Sequence, residues 1–218
     1  MLENIKLSVS LGEALDKLSI LDIKLSFIKD EKRIYNVRKE YDLIYDQLKI
    51  YTEKYSFYYN ILKNINIYIW ELMDILRDGN VKDEEYLRIC KDTIIGNDMR
   101  FRVKNKINCI SGSLLKEEKG YIITRVFFEI LDIDIDFEKI IKPLHYYSLI
   151  YDEIYIYCLE KDICNIQNLL ENNQITIVNE KTKERLLDDI KIKKFILNNN
   201  SCIYETLNID KNILNKIL

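Results

Sequence analysis

From Ile34 to Leu76, apolar side chains recur in alternating steps of three and four residues, without a failed step. A repeat that averages 3.5 residues is typical of a helix that packs one face against neighbouring helices. Asp30 suits an N-cap and Asp78-Gly79-Asn80 suits a helix stop, so the pattern predicts one long helix between them. The members of this row are Ile34, Val37, Tyr41, Ile44, Leu48, Tyr51, Tyr55, Tyr58, Leu62, Ile65, Ile69, Leu72 and Leu76.

Tyrosines in this row argue against a tight two-stranded zipper. A tyrosine is bulky, and its hydroxyl group must reach water or a hydrogen-bond partner. The pattern therefore favours a helix that packs among several others. A break between Tyr55 and Tyr59 stays open, because the tyrosine cluster there is wider than one seam needs.

An earlier helix carries its own apolar row, from Leu11 to Ile28. Ser10 suits its N-cap, and Glu13, three residues later, completes the sequence of a capping box. The connection at Lys29-Asp30 is short, so we expect this helix to fold back antiparallel to the long one.

Two patterns compete between Asp98 and Leu114. Alternation fits a strand over 98–104, whereas apolar residues at helical spacing extend further, from Met99 to Leu114. The longer pattern indicates helix. We therefore predict a helix that starts near Asp83 and ends at Gly96, and a second helix that Asn97 caps.

The second of these helices places two cations and two amides on one side. They begin at its predicted N-terminus, where backbone N–H groups and the helix dipole favour an anion. A phosphate or carboxylate site is one interpretation. A solvated basic face, or internal ion pairs to Glu117 or Glu118, is the other. The predicted anion-binding residues are Asn97, Arg100, Lys104 and Asn108, with Lys17 from the first helix.

The second half alternates strand-like and helical segments. Strand patterns occur in TRVFFEIL, DEIYIYCL and QITIVNE, and helical patterns separate them in DFEKIIKPLHYYSLIY and KDICNIQNLLENN. This βαβαβ order predicts a small parallel Rossmann-like sheet with right-handed crossovers. A last helix is predicted at Lys183 to Leu197, and a short one after Asp210.

The fold class that follows is α+β, with long antiparallel helices before the small parallel-sheet domain. All five glycines precede residue 121, while the single proline and single histidine follow it. This shift in composition places a boundary there. We predict a helical domain at 1–121, an α/β domain at 122–197 and a tail at 198–218.

Composition and charge exclude several functions. A net charge of -3 argues against nucleic-acid binding, which needs a concentrated basic surface. No apolar run is long enough for a bilayer, and a signal-peptide core is missing. Five cysteines without a CxxC motif indicate neither a disulfide framework nor a zinc site. We expect a cytoplasmic protein, in the host cytoplasm if the chain is viral.

The residues that could take part in catalysis or metal binding lack suitable partner residues. An acidic cluster could bind Mg²⁺ through its oxygens, but a solvated loop is the simpler interpretation. His145 lies in a predicted helix without a second ligand at metal spacing. We therefore predict no metal, cofactor or catalytic residue. The acidic cluster comprises Asp132, Asp134, Asp136 and Glu138.

Four strings carry a family resemblance: VSLGEALDKLSILDIKL, NVRKEYDL, IWELMDILRDGN and GNDMRFRVKNKINCISGSLLKEEKGY. In this order they resemble an uncharacterised family of small proteins from bacteria and large DNA viruses, over residues 5–121. In bacteria such proteins tend to lie near genes for surface-polysaccharide assembly. The resemblance implies that these residues are shared: Glu13, Asp16, Lys17, Lys24, Trp70, Arg77, Asn97, Asp98, Arg100, Lys104 and Lys119.

The second half is similar to the opening unit of heptosyltransferase-type glycosyltransferases. Pro143 and Tyr151-Asp152-Glu153 follow in register, but 131–135 stands where a glycine-rich turn should be. Without glycine the backbone cannot easily approach a phosphate. The resemblance therefore implies a degenerate, non-catalytic remnant.

These observations favour a helical oligomerisation and interaction protein, accessory to glycan or surface-polysaccharide assembly. We expect it to self-associate through the helical domain and to have a protein partner in that pathway. One alternative is a sugar-nucleotide or anion-binding enzyme or sensor. Another, suggested only by composition, is a viral structural or host-interaction protein.

Overall fold

The computed structural model describes residues 6–120, 122–130, 137–158, 175–197 and 211–218. The chain divides into two compact units, Met1–Glu118 and Lys119–Leu218. The first unit is helical and the second carries a small parallel sheet, so the predicted α+β class is confirmed. No helix in the described ranges is both long and apolar enough to cross a membrane.

The first unit contains a run of helices joined by short connections. Ser10 accepts a hydrogen bond from the backbone N–H of Glu13 at 3.2 Å, and Asp30 accepts one from that of Arg33 at 2.8 Å. Both predicted N-caps are therefore confirmed. The helices are α1 (Leu11–Phe27), α2 (Glu31–Lys54), α3 (Ser56–Asp78) and α4 (Asp83–Ser111).

The predicted long helix is broken at Tyr55. This residue has φ -113° and ψ 32°, outside the helical region, and its N–H bonds back to the Tyr51 carbonyl at 2.9 Å. The break falls in the tyrosine cluster where the sequence left one open. Gly79, at φ 73°, ends α3 as predicted, because this left-handed conformation costs glycine little.

The two helices that share the apolar row differ in burial. The α3 part of the row is mostly buried, and Leu62 and Ile65 are fully enclosed. In α2 only Leu48 is buried, and the other row members are half-buried or, at Tyr51, exposed. On the opposite side of α2 from Leu48 lies an exposed set, here called the outer row. Its members are Lys32, Tyr35, Lys39, Leu43, Asp46, Ile50 and Glu53.

The predicted break at Gly96 is wrong, because α4 is continuous through this residue. Gly96 is buried against α3, and a Cβ there would lie 2.9 Å from Cγ1 of Ile69. Glycine in a helix interior costs roughly 0.5–1 kcal/mol relative to alanine. Here it allows close packing of two helices and does not end one. Asn97 is accordingly inside α4 and not at an N-cap.

The second unit contains a four-stranded parallel sheet with strand order β3-β2-β1-β4. In the register, Phe128 lies opposite Ile156 of β2 and Phe195 of β4. Because β1 lies in the interior of the sheet, almost all of its residues are buried. The strands are β1 (Arg125–Ile130), β2 (Glu153–Tyr157), β3 (Ile175–Ile177) and β4 (Lys193–Leu197).

Helices cover both faces of this sheet. On one face the ring of Phe128 contacts that of Tyr147 at 5.2 Å, and on the other Phe127 packs with Val178 and Ile192. Alternate side chains of β1 therefore enter two cores. The described helices of the second unit are α5 (Phe137–Ile150), α6 (Glu180–Asp188) and α7 (Lys211–Ile217).

The predicted final helix at Lys183 to Leu197 is wrong in its second half. The helix ends at Asp188, and Lys193–Leu197 forms β4. Asp189 accepts a hydrogen bond from the N–H of Lys191 at 2.9 Å, which turns the chain away from the helix. Pairing with β1 then uses the backbone groups that a helix would have satisfied internally. The predicted helix at 161–173 lies outside the described residues.

Candidate functional site

The start of α1 lies directly against the end of α4. The backbone N–H of Gly12 donates to Oδ1 of Asn108 at 2.7 Å. A Cβ at position 12 would lie 2.4 Å from the Lys104 carbonyl oxygen, far inside contact distance. Only glycine fits this approach without a shift of backbone, so Gly12 sets the spacing of the two helices.

A buried polar cluster joins α1, α3 and α4. The side-chain amide of Asn66 donates to Oδ1 of Asp16 at 2.9 Å and to Oγ of Ser19 at 2.8 Å. Nε of Arg100 lies 3.4 Å from the same Asp16 oxygen. Burial raises the pKa of Asp16 above its ordinary value, although Arg100 and Asn66 act to lower it. The Asp16 carboxylate therefore connects α1 to α3 and α4, and its removal from water opposes this free-energy gain.

One turn along α4, Lys104 forms a second ionic centre. Its Nζ lies 2.8 Å from Oε2 of Glu13 and also pairs with Glu117. Burial acts to lower the pKa of Lys104, but the hydrogen bonds to Glu117 and Glu13 outweigh it and the pKa lies above its ordinary value. The side chain is therefore a fully charged ammonium at neutral pH, held between two carboxylates.

Helix α4 also carries buried polar atoms without hydrogen-bond partners in the described part of the chain. Among the residues that the structure describes, Nζ of Lys106, Oδ1 of Asn105 and Nδ2 of Asn108 make no hydrogen bond. Burial, together with the positive charge of Arg102 and against the opposing effect of Cys109, lowers the pKa of Lys106 to about 7. Near neutral pH this lysine is therefore partly uncharged, in contrast to Lys104.

The structure brings only part of the predicted anion-binding set together. Arg100, Lys104 and Asn108 face α1, where each contacts an α1 residue. Lys17 instead pairs with Glu40 of α2 at 2.7 Å, and the exposed Asn97 donates to the Thr93 carbonyl within α4. These contacts favour internal ion pairs, including the anticipated one to Glu117. Anion binding by this set stays a prediction.

The remaining residues shared with the family lie on three helices and in the segment that follows α4. The ring of Trp70 lies 5.9 Å from that of Phe27, and exposed Arg77 pairs with Asp74 at 3.6 Å. The last three are half-buried side chains in separate places along the helical unit and the segment after it. They are Lys24, Asp98 and Lys119.

In the second unit, Glu129 near the carboxyl end of β1 is paired with Lys183 of α6 at 2.7 Å. The ammonium of Lys183 also lies 4.2 Å from the ring centre of Tyr157. This network fastens α6 to the sheet.

Within the described ranges no group of His, Cys, Asp and Glu is arranged to hold a metal ion. Of the acidic cluster, Asp132, Asp134 and Asp136 lie outside those ranges. The side chain of Glu138 is not described, and His145 lies half-buried in α5.

Sequence reasoning missed Gly12, Ser19 and Asn66 as members of the polar cluster. Asn66 carried a usable signal, since it is an amide directly beside Ile65 of the apolar row of α3. Ser19 and Gly12 gave none, because small residues in a helix usually indicate nothing beyond close packing. Lys106, whose Nζ makes no hydrogen bond with the described residues, gave no signal either, because a lysine among other charged residues usually indicates a solvated surface.

Residues 5–127 match the family of unknown function DUF6165. The chain belongs to this family. The match covers more than half of the chain, including all of α1 to α4 and the first residues of β1. No curated protein and no solved structure matches the chain. The DUF6165 region therefore coincides with the helices that form the polar cluster.

Proposed function

We propose that this DUF6165 protein is a non-catalytic interaction protein that self-associates through its helical unit. The observation that supports this most directly is the outer row of α2. Tyr35, Leu43 and Ile50 in it have exposed fractions of 70%, 56% and 64%. Apolar side chains at regular spacing on one exposed helix face are typical of a surface that binds another protein.

The state of the cations in α4 supports the same proposal. Arg100 and Lys104 are used to hold α1 and α4 together through Asp16 and Glu13. A phosphate that entered would have to compete with these carboxylates, and that of Asp16 is held in place by a further hydrogen bond from Asn66. The cluster therefore serves best as the rigid centre of a scaffold, with the binding surface on its outside.

The pathway is a further part of the proposal. We place the protein as an accessory to glycan or surface-polysaccharide assembly, with a protein partner in that pathway. The support is the family resemblance of the first 121 residues, whose bacterial members tend to lie near such genes. Co-purification with glycan-assembly proteins from the native host would test it, and a partner set without any of them would contradict it.

Light scattering coupled to size-exclusion chromatography tests self-association. The chain has a mass of 26.2 kDa. We expect the measured mass to rise towards twice this value or higher as protein concentration increases. A mass that stays at that of one chain across the full concentration range would overturn the proposal.

One observation favours a second candidate, a sugar-nucleotide or anion-binding protein. The strand order β3-β2-β1-β4, all parallel, is the order of the first strands of doubly wound nucleotide-binding sheets. In such sheets ligands bind beyond the carboxyl ends of the strands, where the order reverses, which here is between β1 and β4. The segments that follow those strands, 131–136 and 198–210, lie outside the described residues.

Thermal-shift measurements with nucleotide sugars separate the two candidates. A ligand that binds only the folded state raises the melting temperature, and above its Kd the rise grows with the logarithm of the ligand concentration. We expect no shift from nucleotide sugars if the protein is only a scaffold. A concentration-dependent shift that Arg100→Ala abolishes would favour the α4 site, and one that survives this change would favour the sheet.

A further inference from the structure

The outer row of α2 is self-complementary when its direction is reversed. Its charged residues are basic in the first half of the helix, at Lys32 and Lys39, and acidic in the second half, at Asp46 and Glu53. Its apolar residues Tyr35 and Ile50 are spaced symmetrically about the same midpoint. Reversal about a point between Asp42 and Leu43 places three pairs opposite each other: Lys32 with Glu53, Tyr35 with Ile50, and Lys39 with Asp46.

We propose that α2 pairs with α2 of a second copy of this chain, antiparallel, on a two-fold axis between Asp42 and Leu43. This inference rests on the self-association proposed above and names its surface and register. A two-fold contact uses the same surface on both copies, so every favourable pair occurs twice. The outer row is exposed and lies on the opposite side of α2 from the buried Leu48, so it takes no part in the packing of α2 within the helical unit.

The charges select this orientation over the others. A parallel pair in register would place Lys39 against Lys39 and Asp46 against Asp46, and like charges at such positions are unfavourable. In the antiparallel arrangement each charged residue of the row meets one of opposite sign. The apolar contacts add to this, since Tyr35 of each copy packs on Ile50 of the other and the two Leu43 side chains flank the axis.

Single charge reversals test the register. Lys39→Glu creates two contacts of like charge with Asp46, and Asp46→Lys creates two with Lys39. Surface ion pairs and like-charge contacts are each worth roughly 0.2–1 kcal/mol, and the two-fold axis doubles them. We therefore expect each variant to weaken the dimer by about tenfold or more. Arg38→Glu is the matched control, because Arg38 is exposed on α2 but points away from the outer row.

Mixing the two variants gives the decisive measurement. A Lys39→Glu chain that meets an Asp46→Lys chain has opposite charges at both positions, so the heterodimer should form as tightly as the original protein. Sedimentation of each variant alone and of the mixture measures this directly. The double variant Lys39→Glu/Asp46→Lys should also dimerise, since its pairs are only exchanged.

The outcomes separate this register from self-association in general. If the original chain is a monomer at every concentration, both proposals fail. If it associates but neither single reversal weakens it beyond Arg38→Glu, the register is wrong and self-association through another surface stands. Loss in both single variants, with recovery in the mixture and in the double variant, supports the antiparallel pair.

Discussion

Helices α2 and α3 share one uninterrupted apolar row but occupy opposite situations in the fold. Helix α3 lies among other helices, so Leu62 and Ile65 are enclosed. Helix α2 uses the same row against α1, where most of its members are only half-buried. Periodicity therefore identified the face of each helix that packs, while the amount of burial depended on how many neighbours cover it.

Substituting one row residue in each helix should give the largest contrast. Leu62→Ala leaves a cavity in a fully enclosed site, and we expect a loss of about 2–5 kcal/mol in the free energy of unfolding. Ile44→Ala in α2 removes a half-buried side chain, and we expect about 1 kcal/mol. Urea unfolding followed by helical circular dichroism, at one protein concentration, measures both. Equal losses would show that α2 is as firmly packed as α3.

Local chemistry made some features of these helices predictable. The caps at Ser10 and Asp30 depend on hydrogen bonds that span three residues, so a short stretch of sequence contains all their partners. The class of the fold followed from a period near 3.5 in the first half and from short β-rich runs that alternate with helical patterns in the second.

Features that depend on distant partners were not predictable. Gly96 reads as a helix end, but its reason is Ile69 on the facing helix. Strand β4 reads as a helical continuation, and its pairing partner β1 lies far away in sequence. In the candidate site, the cations Arg100 and Lys104 were found by spacing. Their carboxylate partners on α1 could not be assigned to them, since the distance between α1 and α4 is set by tertiary packing.

Two consecutive residues of α1, one buried and one exposed, should differ in their effect on the free energy of unfolding. Asp16 faces α3 and α4 and is 2% exposed, whereas the neighbouring Lys17 pairs with Glu40 of α2 in solvent. We expect Asp16→Ala to cost about 3 kcal/mol, because it leaves Arg100 without its carboxylate and removes one acceptor from Asn66. Lys17→Ala should change stability by no more than about 0.5 kcal/mol.

Asp16→Asn refines this measurement. An amide at position 16 can still accept from Asn66, and it removes the charge whose burial raises the pKa of Asp16. We therefore expect it to cost less than half of what Asp16→Ala costs. If the asparagine and alanine variants lose equal stability, the ion pair with Arg100 dominates the cluster and the hydrogen bond contributes little.

The lysines of α2 and α4 give the most specific contrast. Lys32 and Lys39 of α2 are exposed, whereas Lys106 of α4 is buried and its Nζ makes no hydrogen bond with the described residues. Its pKa falls from 10.5 to about 7 in the folded chain. Between these values the unfolded chain binds a proton that the folded chain does not. The free energy of unfolding should therefore rise with pH by up to about 1.4 kcal/mol per unit.

Replacing Lys106 by methionine should remove this rise. The variant should be more stable than the original chain at pH 7 and below, where the buried ammonium is most costly, and the difference should shrink as pH rises to 9.5. Tyrosines and cysteines of the unfolded chain also begin to ionise in this range, but they do so in both chains and therefore cancel from the difference. Lys91→Met, which replaces an exposed lysine of the same helix, is the control. If the stability curves of the original chain and of Lys106→Met run parallel, Lys106 keeps its proton in the folded chain. The prediction of a lowered pKa would then be wrong, and a contact of the ammonium group would have to stabilise its charge.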